Sequence, residues 1–138
     1  MYTIPFFVDL LLIGCYYTLL RRRKKVMGLS SGMNTAMFMP LFFSLFFSFM
    51  LMEQFPFNYV QNVFLSVTGS MCIGWVFGRL KDEQTLIIGI ANGAVMGMMT
   101  PMLAGVVLYD RWLFYILQLL FICILISIAF EKKRRWEP

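Results

Sequence analysis

Two stretches, "GAVMGMMTP" at residues 93–101 and "GMNTAMFMP" at residues 32–40, decide how this chain is read. In each, glycine or alanine recurs at every fourth residue and the run ends in proline. In water, glycine weakens a helix by about 1 kcal/mol relative to alanine, and an interior proline costs about 3 kcal/mol. A membrane-embedded bundle tolerates both. Small residues let helix backbones approach, and neighbouring groups take up the hydrogen bond that proline removes. Both stretches therefore read as membrane-spanning helices with a close neighbour.

Working outward, the rest of the chain fits the same solvent. Of its 138 residues, 60% are hydrophobic and only 14% charged, and the mean hydropathy is +0.76. A soluble domain of this size has too little interior to hide so much apolar surface. Five apolar segments stand out, at Tyr2–Leu20, Val26–Met52, Phe55–Phe77, Leu86–Leu108 and Trp112–Phe130. About 20 apolar residues span the roughly 30 Å hydrocarbon core. The expected fold is an all-α, polytopic bundle of five transmembrane helices forming one domain over residues 1–138.

Charge sets the expected orientation. Of 12 basic residues, 11 fall at alternate segment ends, in Arg21–Lys25, Arg79 with Lys81, and Lys132–Arg135; the opposite ends hold only Arg111. Cytoplasmic loops carry such an excess. The expectation is an N-terminus outside and a C-terminus in the cytoplasm of a plasma membrane, read as a bacterial cytoplasmic membrane. Tyr109 with Trp112, and Trp75 with Trp136, match interfacial aromatic belts. The first basic cluster follows the apolar run instead of preceding it, so a cleavable signal is not expected. The net charge of +5 then reflects topology, and nucleic acid is not expected as a partner. Expected partners are the lipid bilayer, a second copy of the chain or partner membrane subunits.

The two opening stretches belong to a longer match. At an offset of 61 residues, Gly28, Gly32, Ala36, Pro40 and Ser44 align with Gly89, Gly93, Gly97, Pro101 and Gly105. Residues four apart share one helix face, so each helix carries a ridge of small side chains. The reading is a leading helix followed by two related hairpins, 26–77 and 86–130, with helices 2 and 4 parallel and ridge against ridge. The competing reading is convergent composition, and helices 3 and 5 do not align. Pro40 and Pro101 deprive the carbonyls of Ala36 and Gly97 of their donors. Either a hydroxyl such as Thr100 restores the bond, or the two kinks expose carbonyls to a shared mid-depth site, as broken helices do in transporters.

Further candidates are polar or soft. Asp9 lies inside the first segment, where a carboxylate is costly and faces protein or water. Asn58, Asn62, Ser66 and Ser70 recur at intervals of four along segment three, flanked by Gln61 and Thr68, and should face inward. Asn34 and Asn92 sit at matching depths in segments two and four and should bond across the bundle. Met33 with Met37, and Met98 with Met102, have one-turn spacing, and Cys15, Cys72 and Cys123 fall in a similar layer. Thioethers and thiolates select Cu(I). This MxxxM spacing with GxxxG packing is similar to features of eukaryotic copper transporters. The chain departs from them in having five segments instead of three, no Met-rich outer domain and no His/Cys tail. The plainer reading of Met and Cys is adaptable apolar filling.

Catalytic signatures are missing from the sequence. It has no histidine, HExxH, Walker loop, GxSxG or paired intramembrane carboxylates, and its three cysteines form no CxxC. An enzyme, a cofactor and a disulfide framework are not expected. Three functions remain: a small transporter or channel working at kinked helices 2 and 4; a non-catalytic subunit or assembly factor of a membrane complex; and Cu(I) or soft-metal handling.

Overall fold

The structure, a computed structural model, describes residues 3–22, 29–107 and 110–134, except for the side chains of Leu29, Ser31 and residues 131–134. Gly28, Tyr109, Trp136, Arg23–Lys25 and Arg135 therefore lie outside the described residues, as do the side chains of Lys132–Arg134. The chain is all-α, with α1 Thr3–Arg22, α2 Leu29–Gln54, α3 Tyr59–Gly78, α4 Glu83–Val107 and α5 Arg111–Arg134. All five are long and apolar enough to cross a membrane.

The breaks follow from local chemistry. α2 stops before Phe55-Pro56, because a residue preceding proline is pushed out of the helical region. The turn is closed by the Asn58 amide donating to the Phe55 carbonyl at 3.4 Å. Between α3 and α4 the chain turns over Arg79–Asp82. Asp82 stands at the N-cap position, its carbonyl accepting the first bond of α4 from the Leu86 amide at 3.0 Å. Glu83 in that first turn complements the positive end of the helix.

α2 is the enclosed helix. Some 72% of its span is buried, against 28% or less for the other four. Its sequence is apolar around the whole circumference, as a surrounded helix must be. Phenylalanines fix it to the outer helices. Phe43 and Phe47 meet Phe6 of α1 at 6.0 and 5.6 Å between ring centroids. On another side, Phe46 and Phe49 meet Phe114 of α5 edge-on, and Phe42 and Phe46 meet Phe121. Edge-to-face contacts of this kind add about 0.5–1.5 kcal/mol each beyond area burial.

The closest helix contact is between α3 and α4. A Cβ built on Gly93 would lie 2.5 Å from the Ser70 carbonyl oxygen, and one on Gly97 would lie 2.5 Å from the Val67 Cα. One on Gly78 would lie 2.6 Å from the Leu86 Cα, and Gly74 and Gly89 stand carbonyl to Cα across the same seam. The order of these contacts makes the pair antiparallel. This corrects the ridge-to-ridge expectation for α2 and α4: Gly89, Gly93 and Gly97 of α4 face α3. The physical reason lies in α3 itself, where Ser66, Ser70, Gly74 and Gly78 form a second small-residue track, all buried.

α2 and α4 are parallel neighbours, but in a different register from the sequence match. Their contacts join residues 52 and 55 apart, at Ser48–Thr100 and Met37–Asn92, not 61. The slip of six to nine residues separates Pro40 from Pro101 by about 9–13 Å along the axis. Both prolines are buried, yet they do not sit side by side. On the α2 ridge, Gly32, Ala36 and Ser44 are also buried; Gly32 lies against the stem of Lys81, 3.4 Å from a built Cβ. Gly105 is exposed, although a Cβ there would come within 3.3 Å of Met52 on α2.

Candidate functional site

Five polar side chains, four buried and Gln118 half-buried, share one layer. Asp9 and Ser66 lie six or seven residues in from the starts of α1 and α3, and Gln118 seven residues in from the start of α5. Ser48 and Thr100 lie six or seven residues from the ends of α2 and α4. At 1.5 Å per residue all five stand about 10 Å from the same end of the bundle. That end is opposite the one bearing Arg21, Arg22 and Arg79. α2 divides the layer into two clusters.

The first cluster lies where α2, α3 and α4 meet. Ser48 Oγ is 2.9 Å from both Ser66 Oγ and Thr100 Oγ1, and Ser66 is 3.4 Å from Thr100. Three hydroxyls can satisfy one another in a ring, each both donating and accepting. One turn along α3, the Ser70 hydroxyl donates to the Gly93 carbonyl at 2.5 Å. Asn92 donates to the Met37 carbonyl at 2.6 Å, in the helical turn that Pro40 interrupts. That bond ties α4 to α2 beside Pro40, while the carbonyl that Pro40 itself deprives of a donor is that of Ala36.

Asn62 has a different task. Its Nδ2 donates to the Phe55 carbonyl at 2.8 Å and lies 3.5 Å from Met52 Sδ. It thereby caps the exit of α2 and holds the Pro56 turn. Its Oδ1 is buried without a partner among the described residues.

The second cluster joins the outermost helices. Asp9 of α1 is 1% exposed. Its Oδ1 accepts from Gln118 Nε2 of α5 at 2.5 Å. The remaining oxygens of the pair, Asp9 Oδ2 and Gln118 Oε1, are both buried without a partner among the described residues. An unsatisfied buried acceptor costs about 1–3 kcal/mol, more when charged. Two such oxygens on hydrogen-bonded neighbours leave acceptor positions of the kind that a proton or a cation can fill. Gln118 is a residue that composition and spacing passed over. Its signal was available: it is the lone amide in the apolar run 112–130.

The other candidates disperse. Asn34 is exposed, whereas Asn92 bonds across to α2, and neither lies in the layer. Asn58 is exposed in the turn, and Gln61 and Thr68 are exposed on α3. Cys15, Cys72 and Cys123 are free thiols on the outer surfaces of three different helices. Met37, Met98 and Met102 are exposed, and Met33 is partly so. Among the described residues no three of His, Cys, Asp and Glu come together. Compared with family models, with curated proteins and with solved structures, the chain matches none.

Proposed function

We propose that this chain is a small ion-handling membrane protein of the transporter or channel class, oriented with its basic end in the cytoplasm, which takes up a proton or small monovalent cation at Asp9 and Gln118. The observation that carries this reading is the pair of unpartnered buried oxygens, Asp9 Oδ2 and Gln118 Oε1, beside a hydrogen bond that already fixes both side chains. An intramembrane carboxylate with a named polar partner is a functional position by default, because burying one for structure alone is expensive. The site moves away from the prolines of α2 and α4, which the register between the two helices sets about 9–13 Å apart along the axis. Neither residue sits in the rigid α3–α4 pair. α1 and α5 are the least enclosed helices, at 22% and 17% buried, and a seam between loosely held elements is the natural place for opening.

The test is reconstitution. Purified protein in liposomes should conduct protons, Na+ or K+ above empty vesicles, and Gln118→Leu should slow this about 10–100-fold, the usual cost of losing the group that orients a ligand. The competing reading, a non-catalytic membrane subunit, is favoured by the broad exposed apolar faces of α1 and α5. An equimolar partner retained through purification, together with vesicles no leakier than controls, would decide for it.

A further inference from the structure

At the basic end, residues of α1 and α3 border a cavity of about 400 Å³. Its wall is Tyr17 and Arg21 from α1, with Trp75, Val76, Arg79 and Leu80 from α3 and the turn after it. The volume lies within the roughly 300–1,000 Å³ typical of small-molecule sites. The spacing on the two helices is the same: an aromatic residue, then an arginine four positions later, at Tyr17/Arg21 and Trp75/Arg79. Residues four apart stack on one helix face. Each helix therefore offers an aromatic ring deeper in the cavity and a guanidinium at its rim.

The parts are held in place. The Arg79 guanidinium carbon lies over the Trp75 ring, 5.2 Å from its centroid. Tyr17 is pinned edge-on against Phe77 at 5.6 Å. Among the described residues no acidic side chain lines the cavity, and Val76 and Leu80 add apolar wall. Two guanidiniums above aromatic and aliphatic walls match an anionic head with hydrocarbon beneath it. Arginine binds phosphate through a planar fork, and basic pockets between spans at the cytoplasmic surface hold lipid heads. We infer that this cavity binds a phosphate ester, with Arg21 and Arg79 on the phosphate and Tyr17 and Trp75 against the glycerol and upper acyl chain of an anionic phospholipid. The inference is independent of Asp9, which stands near the other end of α1.

Tryptophan fluorescence tests it. In full-length protein carrying Trp112→Phe and Trp136→Phe, Trp75 is the sole indole and lies in the cavity wall. In detergent, phosphatidylglycerol should change its emission saturably, whereas phosphatidylcholine and inorganic phosphate at equal concentration should not. Arg21→Gln with Arg79→Gln should weaken binding about tenfold or more, and Arg22→Gln, outside the wall, should leave it near the parent. Val76→Trp cannot be read by Trp75 emission, so native mass spectrometry follows that variant. It fills the cavity without touching charge and should lose the retained phosphatidylglycerol. Equal responses to the two lipids, unaltered binding in the double glutamine variant, or retention of lipid by Val76→Trp would each overturn the proposal. Saturation by inorganic phosphate with no lipid preference would overturn the lipid as source.

Discussion

Gly74 of α3 and Gly89 of α4 meet backbone to backbone: a Cβ built on either would run into the carbonyl oxygen of the other. The seam continues through Ser70 against Gly93 and Val67 against Gly97. In lipid there is little hydrophobic drive between helices, so close packing of this kind holds the pair together. Gly89→Ala should destabilise the purified protein by about 1–3 kcal/mol, the usual penalty of overpacking. Gly14→Ala is the control, since a Cβ there meets nothing within 4 Å. Thermal unfolding in detergent should separate the two, and equal midpoints would contradict the seam.

The hydroxyl ring makes a milder prediction. Interhelical hydrogen bonds in membranes average about 0.6 kcal/mol in double-mutant cycles. Ser66→Ala removes two contacts of the ring and should cost about 1 kcal/mol. Thr68→Ala should cost almost nothing, because its hydroxyl is exposed and bonds the Phe64 carbonyl of its own helix. A Ser48→Ala, Ser66→Ala cycle should show positive coupling, and strictly additive losses would dissolve the ring as a unit.

Cross-linking reads the register of α2 against α4. With the three native cysteines replaced, Ser48→Cys with Thr100→Cys should form a disulfide readily, because those side chains touch. Pro40→Cys with Pro101→Cys should not, since about 9–13 Å of helix axis separates them. Efficient bridging of the second pair would restore the side-by-side arrangement of the kinks.

The helices were legible because each apolar run is long and bounded by charge or proline. Segment ends read from sequence differ from the observed ones by a few residues, as at Phe55 against Tyr59 for α3. The partner of the α4 ridge was not legible from α4 alone. A small-residue track announces close approach but does not name the neighbour. The answer lay in α3, where the polar line Ser66 and Ser70 continues at the same spacing into Gly74 and Gly78. Read only as polar, that line points to hydrogen bonding; read also as small, it points to α4. Asp9 stood out as a carboxylate in an apolar run. Its pairing with Gln118 spans 109 residues, and no local pattern encodes a contact between the first and last helices. Asn34 and Asn92 mark the same limit: the equal depth read from their distances to charge does not hold, because the α2–α4 register pairs residues 52–55 apart and these are 58 apart.

The proposed ion site is the α1–α5 seam and not the prolines of α2 and α4. The most direct measurement compares ion flux into liposomes for wild type, Asp9→Asn and the Pro40→Ala, Pro101→Ala double variant, each reconstituted at equal density. Asparagine keeps the shape of Asp9 and removes its charge, so it should bring flux to the level of empty vesicles, while the proline variant should remain close to wild type. Flux undiminished in Asp9→Asn and lost in the proline variant would contradict the account.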